Sequence, residues 1–202
     1  MINTKGFNLR TVYEKPNERA SQKVMDHLDT NCKNFIALSP FCVISSARVD
    51  GRADASPRGD PPGFVAVLDD HTLIIPDRPG NNQVDSLQNI VENPYVGLLF
   101  FIPGMDETLR VKGHAEIVTE SGVLTELSVG GAPPLSGLRV HVEEAFLHCG
   151  RALLRARLWS PSAQIDRSEY PTYGQVLADQ IEGADAEEID TTEQEINRSR
   201  LY

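Results

Sequence analysis

The stretch "ASPRGDPPGF", Ala55 to Phe64, carries two glycines and three prolines, which stiffen the backbone and let other groups approach it closely. Within it Ser56 offers a hydroxyl, and Arg58 offers a planar fork of donors that matches a phosphate or carboxylate. Pro57 lies between them. The stretch is either a stiff turn with an exposed arginine or one wall of an anion site.

A second stretch, "IIPDRPGNNQVDSLQNIVENP", runs from Ile74 to Pro94. Its apolar run stops at Asp77 and Arg78. Gly80 and Asn81 suit a turn that needs left-handed backbone, and Asn82 and Gln83 add amides. A helical segment then begins at Asp85 and Ser86 and continues through Leu87 and Ile90. The start of a helix presents unpaired N–H groups and the positive end of its dipole, which suits a phosphate. Asp85 is better suited to capping that helix than to meeting an anion. Here the choice lies between an ordinary capped helix and a phosphate seat.

The third stretch is "FLHCGRALLRARLW", Phe146 to Trp159. If it is helical throughout, His148, Arg151, Arg155 and Trp159 share one face. Two cations and an indole on one stripe could hold an anionic aromatic ligand. The alternative is a surface helix whose arginines pair with acidic neighbours. His141 and His148 lack metal-ligand spacing, so no metal site is expected. There is no Ser/His/Asp or Cys/His pattern either, and the catalytic residues stay unassigned, with His148 as a candidate proton donor.

These stretches need a scaffold. "FCVISSARV", "FVAVL", "TLIIP", "VGLLFFIP", "TLRVKGHAEIV" and "LRVHVEEAF" read as short strands rich in Val, Ile and Phe. Asp50-Gly51 signals a hairpin, and "LDDHT" joins two further strands tightly. Many short strands on close turns predict an antiparallel sheet closed into a barrel. Ahead of them, Val24, Met25 and Leu28 fall at helical spacing, predicting a helix from about Asn17 to Thr30. Three segments result: a helical lead at 1–33, the barrel with its closing helix at 34–160, and an acidic tail at 161–202, read as a solvated helix or an arm.

The 202 residues carry a net charge of −10, which repels nucleic acid and anionic membranes. No nucleic-acid or membrane partner is expected. The first residues lack the apolar stretch of a signal peptide, and the three cysteines contain no CxxC pair. Together these predict a cytoplasmic protein with reduced thiols.

In these motifs the chain resembles the FMN-binding split-barrel proteins related to pyridoxamine 5'-phosphate oxidase. The resemblance runs from about Asn34 to Trp159. It rests on "SPFCVISSARVDGRADASPRGDPPGFVAVLDD", "LIIPDRPGNNQVDSLQNIVENPYVGLLFFIPG", "TLRVKGHAEI" and "HCGRALLRARLW". It is nearest to a branch of uncharacterised flavin-nucleotide-binding proteins. The resemblance implies mainly β structure with flanking helices, an antiparallel six-stranded split β-barrel, and a homodimer with FMN at the interface. It implies cofactor contacts near Ser56, Pro57 and Arg58 on the strand after the first hairpin. Asp77, Arg78, Asn81, Asn82 and Gln83 would follow in the turn, and Ser86 at the helix start. Arg155 and Trp159 would close the site.

The implied activity is an FMN-dependent oxidoreductase exchanging electrons or hydride with a small molecule, with a donor such as NAD(P)H. The alternatives are a non-catalytic flavin carrier, or a barrel that takes a deazaflavin or haem. Relatives often carry a basic residue where this chain has Gln83. The C-terminal substrate motif of true pyridoxamine phosphate oxidases is not recognisable, so the resemblance does not extend to vitamin B6 oxidation.

Overall fold

A computed structural model describes residue 6 and residues 8–199. The reading of the opening residues as free of a signal stretch rests partly on residues outside this range, as does the last part of the acidic tail.

The first helix is shorter than its apolar spacing predicts. α1 spans Glu18–Gln22, with the Asn17 side chain accepting from Ala20 N. The chain then extends, and Met25 exchanges backbone hydrogen bonds with Ala145 at 3.0 and 2.8 Å. Leu28 N donates to Asp70 O, and Asp29 caps a new helix, α2 (Thr30–Leu38). Helical spacing of Val24, Met25 and Leu28 is thus met by an extended crossing that pairs with the sheet, and the predicted Asn17–Thr30 helix does not form.

The strands are β1 (Phe41–Ala47), β2 (Ala53–Gly59), β3 (Ala66–Val67), β4 (Thr72–Asp77), β5 (Tyr95–Phe101), β6 (Thr108–Val118) and β7 (Ser136–His148). All pair antiparallel in one sheet, in the order β2-β1-β5-β6-β7-β4-β3. Among the described residues the expected six-stranded closed barrel is corrected to seven strands in a sheet whose edges, β2 and β3, do not pair. The strand missing from the six apolar runs is β2, implied only by the hairpin at Asp50-Gly51 and by the family resemblance; it has no apolar run and contains Pro57. An edge tolerates a proline because one side of an edge strand has no ladder to complete. The Asp50-Gly51 turn joins β1 to β2 as expected, with Gly51 at φ 87°.

The main core lies between α2 and the curved sheet: Leu28, Phe35, Ile36, Ile44, Leu73, Ile75, Phe100, Leu109 and Val140 are buried together. Alternation along β4 sends Ile74 to the other face, where it packs with Val118, Leu124 and Leu127 under α4 (Ser121–Glu126). β7 bulges at Glu143, which falls opposite the step between Lys112 and Gly113 of β6. A Cβ on Gly113 would sit 1.9 Å from His141 O, so only glycine fits.

After β4, α3 (Asp85–Glu92) packs on β1. α5 (Arg151–Ala156) follows β7, and α6 (Tyr173–Gln180) and α7 (Ala186–Ser199) pack on each other as a hairpin. No helix among the described residues is long and apolar enough to cross a membrane.

Candidate functional site

β2 supplies one wall. Its period-two alternation puts Asp54, Ser56 and Arg58 on one face, opposite Ser46, Ile44 and Cys42 of β1, all three buried. The end of β4 supplies Asp77 and Arg78. α3 is held over β1 by polar bonds: Asn89 Nδ2 donates to Ser46 Oγ at 3.0 Å, and Asn93 Nδ2 donates to Ala47 O at 2.9 Å. These anchors set the start of α3 beside β2, and the turn between β4 and α3 closes the space. The result is a cavity of about 250 Å³.

Ser56, Pro57, Arg58, Asp77, Arg78, Asn81, Asn82, Gln83 and Ser86 all line this cavity. The sequence places left-handed backbone at Gly80 and Asn81; the structure places it at Asn82 (φ 59°) and Val84 (φ 49°). A β-branched residue in that region is strained, and such strain persists only where surrounding structure enforces it. Val84 occupies the position that would cap α3, and it makes no side-chain cap bond. The first N–H groups of α3 therefore meet the cavity without a capping acceptor. Asp85 does not cap them; it lies 4.0 Å from Arg48.

The two arginines differ. Arg78 donates from Nε to Asp60 Oδ2 at 2.7 Å and from Nη2 to Leu127 O at 2.9 Å. It ties the end of β4 to the loop after β2 and to the residue closing α4. Arg58 Nη1 donates to Ser56 Oγ at 2.6 Å and to Pro57 O at 3.0 Å. Its Nη2 lies 3.8 Å from Asp77 Oδ1. Its Nε is buried with no hydrogen-bond partner. Burial pushes the Asp77 carboxyl above its usual range, against the opposing pull of Arg58.

The acidic groups of the cavity are engaged: Asp54 accepts from Ser86 Oγ at 2.9 Å, Asp77 faces Arg58, and Asp85 faces Arg48. What remains for a ligand is a set of donors: the helix start, the orphaned Arg58 Nε, and the amides of Asn82 and Gln83, while Asn81 Nδ2 is held by Gln83 Oε1 at 3.0 Å. That set suits an anion such as a phosphate.

Arg155 and Trp159 are not brought to this cavity. The predicted common face of His148, Arg151, Arg155 and Trp159 does not form, because His148 ends β7 and α5 closes at Arg157 in the left-handed region (φ 50°). Trp159 lies beyond the helix and donates Nε1–H to Met105 O at 2.6 Å. A separate groove of about 390 Å³ includes Val43, Leu99, Phe101, Arg110, His148 and Leu153. Nearby Arg110 and Lys23, with partial burial leading, push the His148 imidazole below its usual range. Among the described residues no group of His, Cys, Asp or Glu could hold a metal ion.

Asp54, Val84 and Leu135 are among the cavity residues that the sequence does not single out. Asp54 would follow from reading β2 as a strand, since it alternates with Ser56 and Arg58. Val84 and Leu135 carry no sequence signal: one matters through its backbone, and the other arrives from the loop before β7.

Among curated proteins none matches the chain. Several solved structures do. A variant of HupZ from Group A Streptococcus shares 20% identity over 60% of this chain and 99% of its own, at a TM-score of 0.50. At that identity the likeness extends to the fold alone. General Stress Protein 26 from Bacillus anthracis shares 16% identity over 57% of this chain and 88% of its own, at 0.45. An FMN-binding protein from Syntrophomonas wolfei shares 11% identity over 57% of this chain and 80% of its own, at 0.44. The pyridoxamine 5'-phosphate oxidase profile matches residues 28–149, more than half of the sequence and all seven strands, and the chain belongs to that family.

Proposed function

We propose that this protein binds FMN, with the phosphate seated at the start of α3 against Arg58, and works as an FMN-dependent oxidoreductase on a small molecule. The observation that carries this reading is the pairing of an uncapped helix start with a buried, unpartnered arginine Nε in one cavity. Both are donors without acceptors, and an unmet buried donor is costly. A phosphate oxygen would satisfy them. Ser86 and the amides of Asn81, Asn82 and Gln83 lie within the same wall and would orient the sugar-like chain that follows.

Gln83 adds no charge, so the positive contribution falls on Arg58 and the helix dipole. When bound, FMN would supply the electron or hydride transfer, and the protein would position it and tune its potential. The cavity contains no histidine or cysteine that would act as an acid or nucleophile, which suits chemistry supplied by a cofactor.

The cavity is smaller than the 300–1,000 Å³ of a typical ligand site. It accommodates the phosphate end, and the flavin ring extends past its open side. That supports a homodimer in which a second copy covers the ring, with NAD(P)H or a comparable donor reaching the exposed edge.

The test is titration of the flavin-free protein with FMN, riboflavin, a deazaflavin nucleotide and haem. FMN should bind most tightly. Preference for a deazaflavin or haem would replace FMN in this reading. Turnover of NAD(P)H by the FMN-loaded protein with an electron acceptor separates an enzyme from a carrier.

A further inference from the structure

α5 is basic and unpartnered. Arg151 and Arg155 lie one turn apart on it, and Arg157 closes it. All three are exposed, and none forms an ion pair among the described residues. Beside them Leu154 and Leu158 are 58% and 47% exposed. In a chain of net charge −10, arginines were expected to find carboxylates; these do not.

The carboxylates stand elsewhere. Between residues 161 and 199 ten Asp and Glu stand against two arginines. Most of them sit on the α6–α7 hairpin, which is a built unit rather than a loose arm. Thr172 and Gln175 form a capping box at the start of α6. Gly174 N donates to Asp190 Oδ1 at 2.7 Å, and a Cβ on Gly174 would sit 2.1 Å from Ala186 O. Glu188 and Glu195, two turns apart on α7, are exposed and form no ion pair among the described residues. Tyr173 and Ile181 at the two ends of α6 are exposed apolar groups.

A basic helix edged with leucines and an acidic hairpin edged with apolar groups are complementary, yet among the described residues no ion pair joins them within one chain. We propose that they meet between chains: the α6–α7 hairpin of one copy docks on α5 of a second copy, setting Glu188 and Glu195 against Arg151 and Arg155. Every copy carries both surfaces, so a two-fold pair makes the contact twice. No foreign acidic partner is needed to supply what each chain already holds in equal number. Contacts of this kind weaken as salt screens them. The docking does not depend on the flavin reading.

Sedimentation equilibrium of the full chain tests it. Arg151→Glu with Arg155→Glu should weaken self-association at least tenfold, and so should Glu188→Lys with Glu195→Lys. An equal mixture of the two doubly reversed proteins should recover association, because in the mixed pair opposite charges face each other at both contacts. Unchanged association in either variant, or no recovery on mixing, overturns the proposal. A milder variant avoids reliance on charge reversal. Arg155→Lys, prepared as an equal mixture of 14N and 15N protein, is treated with a carbodiimide that joins amines to carboxylates. Cross-links from position 155 to the α7 peptide should include pairs with one light and one heavy half. Pairs of a single isotope only, or no such cross-link, count against docking between copies.

Discussion

Arg78 Nε lies 2.7 Å from Asp60 Oδ2, with the Asp60 side chain 1% exposed and that of Arg78 15% exposed. A sequence reading that treats both arginines of the cavity as phosphate ligands is therefore too even-handed. Arg78 is engaged by Asp60 and Leu127 O, whereas Arg58 keeps a buried Nε without a partner. The two side chains line one cavity and should answer mutation differently.

Breaking a buried ion pair by removing one partner leaves the other charge buried, at a cost of about 3–5 kcal/mol. Asp60→Ala should lower unfolding stability by about that much, read as a drop in the denaturant midpoint. Asp60 does not line the cavity. FMN affinity measured well below the transition should change far less than stability does.

Arg58→Ala should do the reverse. Loss of a charge-assisted hydrogen bond to phosphate removes about 1.5–3 kcal/mol, or roughly ten- to a hundredfold in affinity. Riboflavin, which lacks the phosphate, should lose little. Equal losses for FMN and riboflavin would move Arg58 from the phosphate to the ring or to the fold.

Asp77 gives a pH test. Burial raises its carboxyl above 3.8 despite Arg58. Its contribution to stability is therefore complete below pH 3.8 and is lost as pH rises through the raised value. Asp77→Asn should be more stable than the parent at pH 7, with the difference fading near pH 3. It also removes a negative charge beside the cavity. At a few ångströms a unit charge is worth about 1 kcal/mol even in water, so FMN should bind the variant about fivefold more tightly at pH 7. Weaker binding would mean that the Asp77 carboxylate contacts the ligand as an acceptor.

Burial pushes the Cys42 thiol up to about 12, and burial followed by the Asp29 carboxylate does the same for Cys32. Cys149 is exposed. Because the thiolate is the reactive form, a disulfide reagent at pH 8 should modify Cys149 in the native protein and reach Cys32 and Cys42 only on unfolding. Fast native labelling of Cys42 would show that the wall between β1 and β2 opens readily.

Much of this architecture is legible in the residues. Strong alternation gives β6 its observed bounds, Asp50-Gly51 gives the first hairpin, and the helix near Ser86 begins as expected. Failures arise where tertiary partners override local pattern. Met25 takes Ala145 as a backbone partner, so helical spacing yields an extended crossing. β2 forms because β1 offers it an edge, although Pro57 and its polar residues argue against a strand. At the site, residue types locate the anion-binding wall, but they do not reveal that Asp60 occupies Arg78 or that α5 stops before Trp159. Those depend on which side chains meet across the fold, which spacing along the chain does not encode.

The central claim is that the start of α3 and Arg58 hold the phosphate of FMN. Paired equilibrium titrations of the flavin-free protein with FMN and with riboflavin, followed by flavin absorbance and fluorescence, address it most directly. FMN should bind at least about tenfold more tightly than riboflavin, the value of one charge-assisted hydrogen bond at its lower end, and the difference should largely disappear in Arg58→Ala. Equal affinity for the two flavins in the parent protein, or binding of neither, would contradict it.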